Sequence, residues 1–182
     1  MKAPRFSLFQ LMIMAVLGAT CVVMKIALKM PVKMPGHTAI FWTAVLLTST
    51  ALVRKQGAAF ITGLFAAVIA AFASPGGSGP VITFISYFAT ATGVELGLML
   101  PESRMPKLVR FIAAGLFGAW AKFLVKAGVD LMLGMPLAAV VVRRAYSSLT
   151  YTIFGIAGAL AGYLVVAALE RASIDKYLQE RR

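Results

Sequence analysis

Six apolar stretches, separated by short polar, proline-rich or glycine-rich connections, run through almost the whole chain. A helix needs about 20 apolar residues to cross the ~30 Å hydrocarbon core of a bilayer, and most of these stretches have that length. The pattern predicts spans at about residues 7–28, 37–53, 57–74, 81–100, 108–134 and 147–169. We therefore expect an all-α integral membrane protein, a six-transmembrane-helix bundle that forms a single domain over residues 1–182.

Composition and charge agree with a membrane location. The chain is 60% hydrophobic and 13% charged, with a mean hydropathy of +0.88, whereas soluble domains carry about 25% charged residues. The net charge of +12 would suggest nucleic-acid binding in a soluble protein. Here we interpret it as topological charge, and we expect no nucleic-acid partner. Eleven of the eighteen basic residues fall on the side of the termini, so both termini are expected to be cytoplasmic in a multi-pass protein of the inner membrane.

Three lysines fall within the apolar stretches, near the predicted outer side. Lys122 and Lys126 lie four residues apart on one face of the fifth span, and Lys25 lies in the outer turns of the first. A charged side chain in the hydrocarbon layer costs about 2.5–3.5 kcal/mol, so it usually faces a cavity or a partner. We predict that the lysines contact a phosphate or carboxylate on a ligand. The alternatives are snorkelling to the headgroups and, for Lys126, an ion pair with Asp130.

Aromatic side chains near these lysines are candidate ring contacts. His37 and Trp42 lie in the first turns of the second span, and Trp120 precedes Lys122 by two residues. Aromatic rings at the mouth of a helix bundle can stack on a flat ligand, although they also form the interfacial belt of membrane proteins. We predict Trp120, His37 and Trp42 as ligand contacts beside the lysines.

Two connections on the outer side complete the predicted binding site. Residues 31–36 contain two prolines and are expected to form a lid, and the glycine-rich residues 75–80 are expected to form a floor or a tight helix hairpin. Glu95 lies in the inner half of the fourth span, where a lone carboxylate is either a proton site or a structural partner. We expect a structural pair with a basic residue at the inner end.

Small residues on the first span offer a surface for helix docking. Ala15, Gly18 and Ala19 follow an i, i+3, i+4 pattern, and small residues allow helices to approach closely in lipid. The surface serves either another helix of this chain or a separate protein. Similar residues are frequent in the fifth and sixth spans, so the pattern does not decide between the two.

Catalytic and metal-binding patterns are missing from the sequence. With one cysteine and one histidine it contains no metal-ligand motif, and it contains no Ser/His/Asp set, paired carboxylates or nucleotide-binding loop. We therefore expect a non-enzyme without metal or cofactor. Two alternatives stay open: a small membrane enzyme that acts on lipid or isoprenoid head groups, and a structural membrane subunit.

One local pattern resembles a known family. The residues are Arg54-Lys55-Gln56-Gly57-Ala58-Ala59, then Pro75-Gly76-Gly77-Ser78-Gly79-Pro80, with Gly36 and Phe41-Trp42 upstream. Together with the six-helix plan, they resemble the substrate-binding (S) components of energy-coupling factor (ECF) vitamin transporters, in the thiamine/hydroxymethylpyrimidine branch. The resemblance implies a bundle that binds a vitamin-like or vitamin-precursor molecule near its outer face. It also implies a coupling membrane protein that docks on Ala15, Gly18 and Ala19, and two ATPase subunits that drive the movement of the bundle.

Overall fold

The computed structural model of the chain describes residues 6–27, 36–73, 79–101 and 105–172. These residues form six α-helices: α1 (Leu8–Ala27), α2 (Ala39–Val53), α3 (Ala58–Ala73), α4 (Pro80–Leu98), α5 (Lys107–Met132) and α6 (Leu137–Arg171). Short connections make successive helices antiparallel. The predicted all-helical architecture is confirmed.

The helices differ in their ability to cross a membrane. By length and composition, α1, α4, α5 and α6 are each long and apolar enough to span one. The helices α2 and α3 have 15 and 16 residues, which at ~1.5 Å per residue is about 23 Å and shorter than the ~30 Å hydrocarbon core. By this criterion four of the described helices are long and apolar enough to span a membrane, and the six spans and the cytoplasmic termini stay predictions.

The last helix begins earlier than the sequence pattern predicts. The sixth span was expected from residue 147, but α6 starts at Leu137, directly after Pro136, and continues without a break to Arg171. Two arginines, at 143 and 144, make this part of the chain resemble a polar connection. They are accommodated inside the helix because Arg144 Nε donates to Asp130 Oδ2 of α5 at 2.7 Å.

The main contacts link α1 to α3, α3 to α4, α4 to α5, α5 to α6, and α6 to α2. Within the described chain, α2 alone contacts all five other helices. We call the end where α1 and α5 finish and α2 and α4 begin the lysine end, and the other the arginine end. Trp42, Tyr87 and Cys21 belong to the buried core near the lysine end.

Glycines bring the helix backbones close together within the chain. A Cβ atom on Gly18 of α1 would lie 2.8 Å from the Thr62 carbonyl oxygen and 3.0 Å from the Ala66 nitrogen, both on α3. On α4, a Cβ on Gly93 would overlap the backbone of Phe117 on α5. Small residues therefore serve packing between helices of this chain at these positions.

Glu95 of α4 caps the first turn of α3. Its carboxylate is buried and accepts hydrogen bonds from the backbone nitrogens of Gly57, Ala59 and Phe60, at 2.6, 3.1 and 3.3 Å. The first amide groups of a helix have no partner within the helix, and the helix dipole favours a negative charge there. Glu95 therefore has a structural role, as the sequence predicted, and its partners include backbone amides at the start of α3.

The contact between α1 and α3 predicts a cost for enlarging Gly18. The substitution Gly18→Ala should lower the free energy of unfolding by about 1–3 kcal/mol, because the new methyl group must displace the α3 backbone. Gly128→Ala in α5 is the matched control, since no atom lies within 4 Å of its added Cβ. This control should be neutral or stabilising by up to ~1 kcal/mol. Equal thermal unfolding shifts for both variants in detergent would contradict the packing described here.

The cap on α3 predicts a second stability effect. Glu95→Gln should lower the free energy of unfolding by about 1–3 kcal/mol, because the amide group loses the charge and turns a donor toward other donors. Glu170→Gln is the control: its ion pair with Lys107 lies on the surface, where such pairs contribute less than about 1 kcal/mol. Denaturant titration of both variants measures the difference, and a larger loss for Glu170→Gln would exclude the capping role.

Candidate functional site

Two lysines from different helices meet at one tyrosine near the lysine end. Lys25 Nζ of α1 donates a hydrogen bond to the hydroxyl of Tyr87 on α4 and lies 4.8 Å from the centre of its ring. Lys122 Nζ of α5 lies 5.0 Å from the centre of the same ring. Positions distant in sequence are thus brought together by α1, α4 and α5. Both ammonium groups point into the bundle at Tyr87.

The lysine cluster, defined as Lys25, Lys122 and Lys126, is withdrawn from solvent. Lys122 is 8% exposed, and Lys25 and Lys126 are half-buried. Lys126 lies four residues after Lys122 on the same helix face, where like charges disfavour each other. Lys25 and Lys122 therefore lie between helices, and the contact of the three lysines with an anion stays a prediction.

Acidic groups in the described chain do not neutralise this charge. These groups are Glu95, Asp130 and Glu170. Glu95 caps α3, and Glu170 pairs with Lys107 at the arginine end. Asp130, which the sequence offered as a partner for Lys126, instead binds Arg144. Tyr87 supplies the lysine cluster with only a neutral hydroxyl and a ring face.

Trp42 lies beside Tyr87 in the interior. The two ring centres are 4.0 Å apart with the planes tilted by 40°, and Trp42 is 1% exposed. Its indole Nε1 is buried and, in the described structure, has no hydrogen-bond partner. A buried donor without a partner costs free energy, which makes this nitrogen a candidate contact for a ligand. Trp42 is therefore part of the buried core at the lysine end.

Trp120 does not join the lysine cluster, contrary to the expectation that it lines a pocket with Lys122. It is 39% exposed, and its Nε1 donates to Thr152 Oγ1 of α6 at 3.2 Å. A separation of two residues directs side chains to nearly opposite faces of a helix, so Trp120 turns away when Lys122 turns inward. The position of Lys122 and the pitch of the helix together explain this correction.

His37 and the two predicted loop elements are only partly described. His37 is half-buried in the turn at residues 36–38, and its carbonyl oxygen accepts from the Ile40 nitrogen at 3.4 Å. Gly36 in this turn packs against Tyr151 of α6. The other residues of the predicted lid (31–35), and residues 75–78 of the predicted floor, lie outside the described residues. The ligand roles of His37 and of both connections stay predictions.

The predicted docking strip on α1 is divided between two faces. Gly18 is buried against α3 and is not accessible to another protein. Ala15 and Ala19 are half-buried, and their neighbours on this side, Met12 and Val16, are 60% and 64% exposed. Gly18 is therefore removed from the external docking surface, and Ala15 with Ala19 remain as its predicted centre.

The arginine end has a cleft of about 800 Å³ whose lining is mixed in charge. Lys107 and Glu170 form an ion pair there, Glu95 caps α3, and Lys55 Nζ donates to Gln10 Oε1 at 3.0 Å. Acids and bases thus occur together in this cleft, unlike at the lysine cluster. Two acidic residues accompany the four basic residues of this lining, whereas the described acidic groups are engaged away from the lysine cluster.

Tyr87 is the main site residue that the sequence pattern did not indicate. It lies in an apolar span, 62 positions from Lys25, and nothing near it in sequence marks it as a contact of lysines. The available signal was a polar aromatic residue in the same half of the bundle as the predicted lysines. Pairing it with them requires the packing of α4 between α3 and α5.

Comparisons with known proteins agree with the membrane architecture. The chain resembles a solved structure described as "Crystal structure of an S-component of ECF transporter", with a TM-score of 0.68, 18% sequence identity, and coverage of 98% of this chain and 95% of that chain. At this identity the likeness establishes the fold. No curated protein matches the sequence. A family model described as "ABC-type cobalt transport system, permease component" matches residues 7–121. Because this match covers more than half of the 182 residues, the chain belongs to that family of transport permease components.

Proposed function

We propose that the chain is the substrate-binding membrane subunit of an uptake transporter and captures a small vitamin-like or vitamin-precursor molecule at the lysine end. The observation that carries this proposal is the meeting of Lys25 and Lys122 at Tyr87, beside the unpartnered indole nitrogen of Trp42. A stable bundle gains nothing from burying cations and an unsatisfied donor in its interior unless another group compensates them. A bound molecule is that group.

Membership of a transport family and the S-component fold support this proposal over an enzyme. The local resemblance of residues 36–80 to the thiamine/hydroxymethylpyrimidine branch makes a pyrimidine-type ring the first candidate for the substrate. A flat ring suits the neighbourhood of Trp42 and Tyr87, since aromatic pairs gain from offset or edge contacts. In this proposal, His37 contacts the substrate from the turn that precedes α2.

We further propose that the subunit works with a separate coupling membrane protein and two ATPase subunits in the cytoplasmic membrane. The described chain offers no nucleotide-binding loop, so the energy for uptake must come from outside it. Ala15 and Ala19 on the exposed side of α1 would contact the coupling protein. Their small side chains permit the close approach of a second helix in lipid.

A bulky side chain on the docking surface should block coupling while leaving substrate binding intact. Ala15→Trp should abolish co-purification of the coupling protein and ATPases and reduce cellular uptake at least tenfold, while the folded subunit still binds its substrate. The reason is steric: an indole on α1 keeps a partner helix from its contact distance. Pull-down from the native host and uptake by intact cells measure the two effects.

Leu164→Trp is the matched control, because Leu164 is 67% exposed on α6 and lies outside the proposed surface. It should retain both partners and uptake. If Ala15→Trp also retains them, or if both variants lose them equally, α1 does not provide the docking surface. If the native chain brings down no ATPase, the proposed transporter function is wrong.

A further inference from the structure

Several hydrogen-bond donors lie at Tyr87 or on the adjoining face of α5. Lys25, Lys122 and Lys126 carry ammonium groups, which donate and cannot accept, and the Trp42 indole nitrogen is likewise only a donor. The Tyr87 hydroxyl already accepts from Lys25. A ligand that satisfies these donors must offer several hydrogen-bond acceptors and must not itself need acceptors from the protein.

The balance of charge points in the same direction. Lys25 and Lys122 meet at Tyr87, where their positive charges repel each other, and the described acidic groups are engaged elsewhere, Asp130 with Arg144 and Glu95 with α3. Tyr87 contributes only neutral contacts to Lys25 and Lys122. An anion between the lysines removes the repulsion and supplies charge-assisted hydrogen bonds, which are stronger than neutral ones.

From these observations we propose that the substrate carries an oxyanion, a carboxylate or a phosphate, which binds between Lys25 and Lys122 with Trp42 Nε1 as an additional donor. This inference rests on the proposed function, since it assigns the chemical class of the molecule held at that site. Lys126 adds positive charge at the same helix face and strengthens the preference for an anion.

The side chains of the lysine cluster do not suit a bare divalent metal ion, although the family description names cobalt. A transition-metal ion requires ligands with free lone pairs, such as imidazole, thiolate or carboxylate, and an ammonium group has none. In residues 6–27, 36–73, 79–101 and 105–172 there is no group of three or more His, Cys, Asp or Glu that could hold a metal. Cys21 near Tyr87 is a single buried thiol.

Fluorescence of Trp42 provides a direct test. The chain has two tryptophans, so Trp120→Phe, which removes the surface indole, leaves Trp42 as the only tryptophan. In this background, phenyl phosphate, benzoate, benzyl alcohol and cobalt(II) chloride are titrated into the detergent-purified protein. Phenyl phosphate or benzoate should change the emission saturably and bind at least tenfold more tightly than benzyl alcohol. Cobalt(II) should neither bind saturably nor displace the anion.

Single substitutions locate the effect. Lys122→Met and Lys25→Met keep most of the side-chain volume and remove the charge, and each should reduce the advantage of the anion at least tenfold. Lys107→Met at the arginine end is the matched control and should leave it unchanged. Thermal unfolding of every variant is measured alongside, so a loss of anion binding counts only for a protein that remains folded.

The outcomes distinguish this inference from the function on which it rests. If benzyl alcohol and the anions bind equally tightly, and both change the emission of Trp42, the anionic substrate is overturned while a binding site at the lysine end remains. Saturable cobalt(II) binding, or anion binding that survives both lysine substitutions, also overturns it. Absence of saturable anion binding at millimolar concentration does the same, whereas failure of the transporter function is read from the ATPase pull-down.

Discussion

The structure depends on a constraint of charge: cations that enter a low-dielectric helix bundle must find a compensating partner. Here two lysine ammonium groups meet at Tyr87, with Lys126 close by. In such an environment the repulsion between like charges is much larger than in water. Among the described residues the compensation is limited to a phenol, and in our proposal a bound molecule supplies the rest. This incompleteness is what we interpret as a binding site.

Close packing of small residues makes that meeting possible. Gly93 on α4 lies against the backbone of Phe117 on α5, and a Cβ on Gly118 would lie 3.1 Å from the Thr90 carbonyl oxygen. Tyr87 is six residues before Gly93 and Lys122 four residues after Gly118, so both extend from the same tight contact toward the lysine end. The contact of Gly18 with α3 likewise holds α1 in place. The same glycine contacts therefore position the site residues and stabilise the bundle.

The sequence predicts the helical elements well, because hydrophobic periodicity is a local signal. It predicts that Lys122 and Lys126 share a face, and that Glu95 is structural. It does not predict the start of α6, since Arg143 and Arg144 resemble a polar connection until Asp130 is found opposite them. Nor does it reveal Tyr87, the inward turn of Trp42 or the outward turn of Trp120. Those depend on the rotation of each helix, which is set by tertiary contacts.

The central claim is that the lysine end is built to hold a small molecule, and native mass spectrometry of the chain purified in mild detergent tests it most directly. The account predicts a second species, heavier than the polypeptide by one small molecule, at close to one molecule per chain. Dissociation should release a compound detected as a negative ion. A spectrum with only the bare polypeptide, or with a released compound that is detected solely as a cation, would contradict the account.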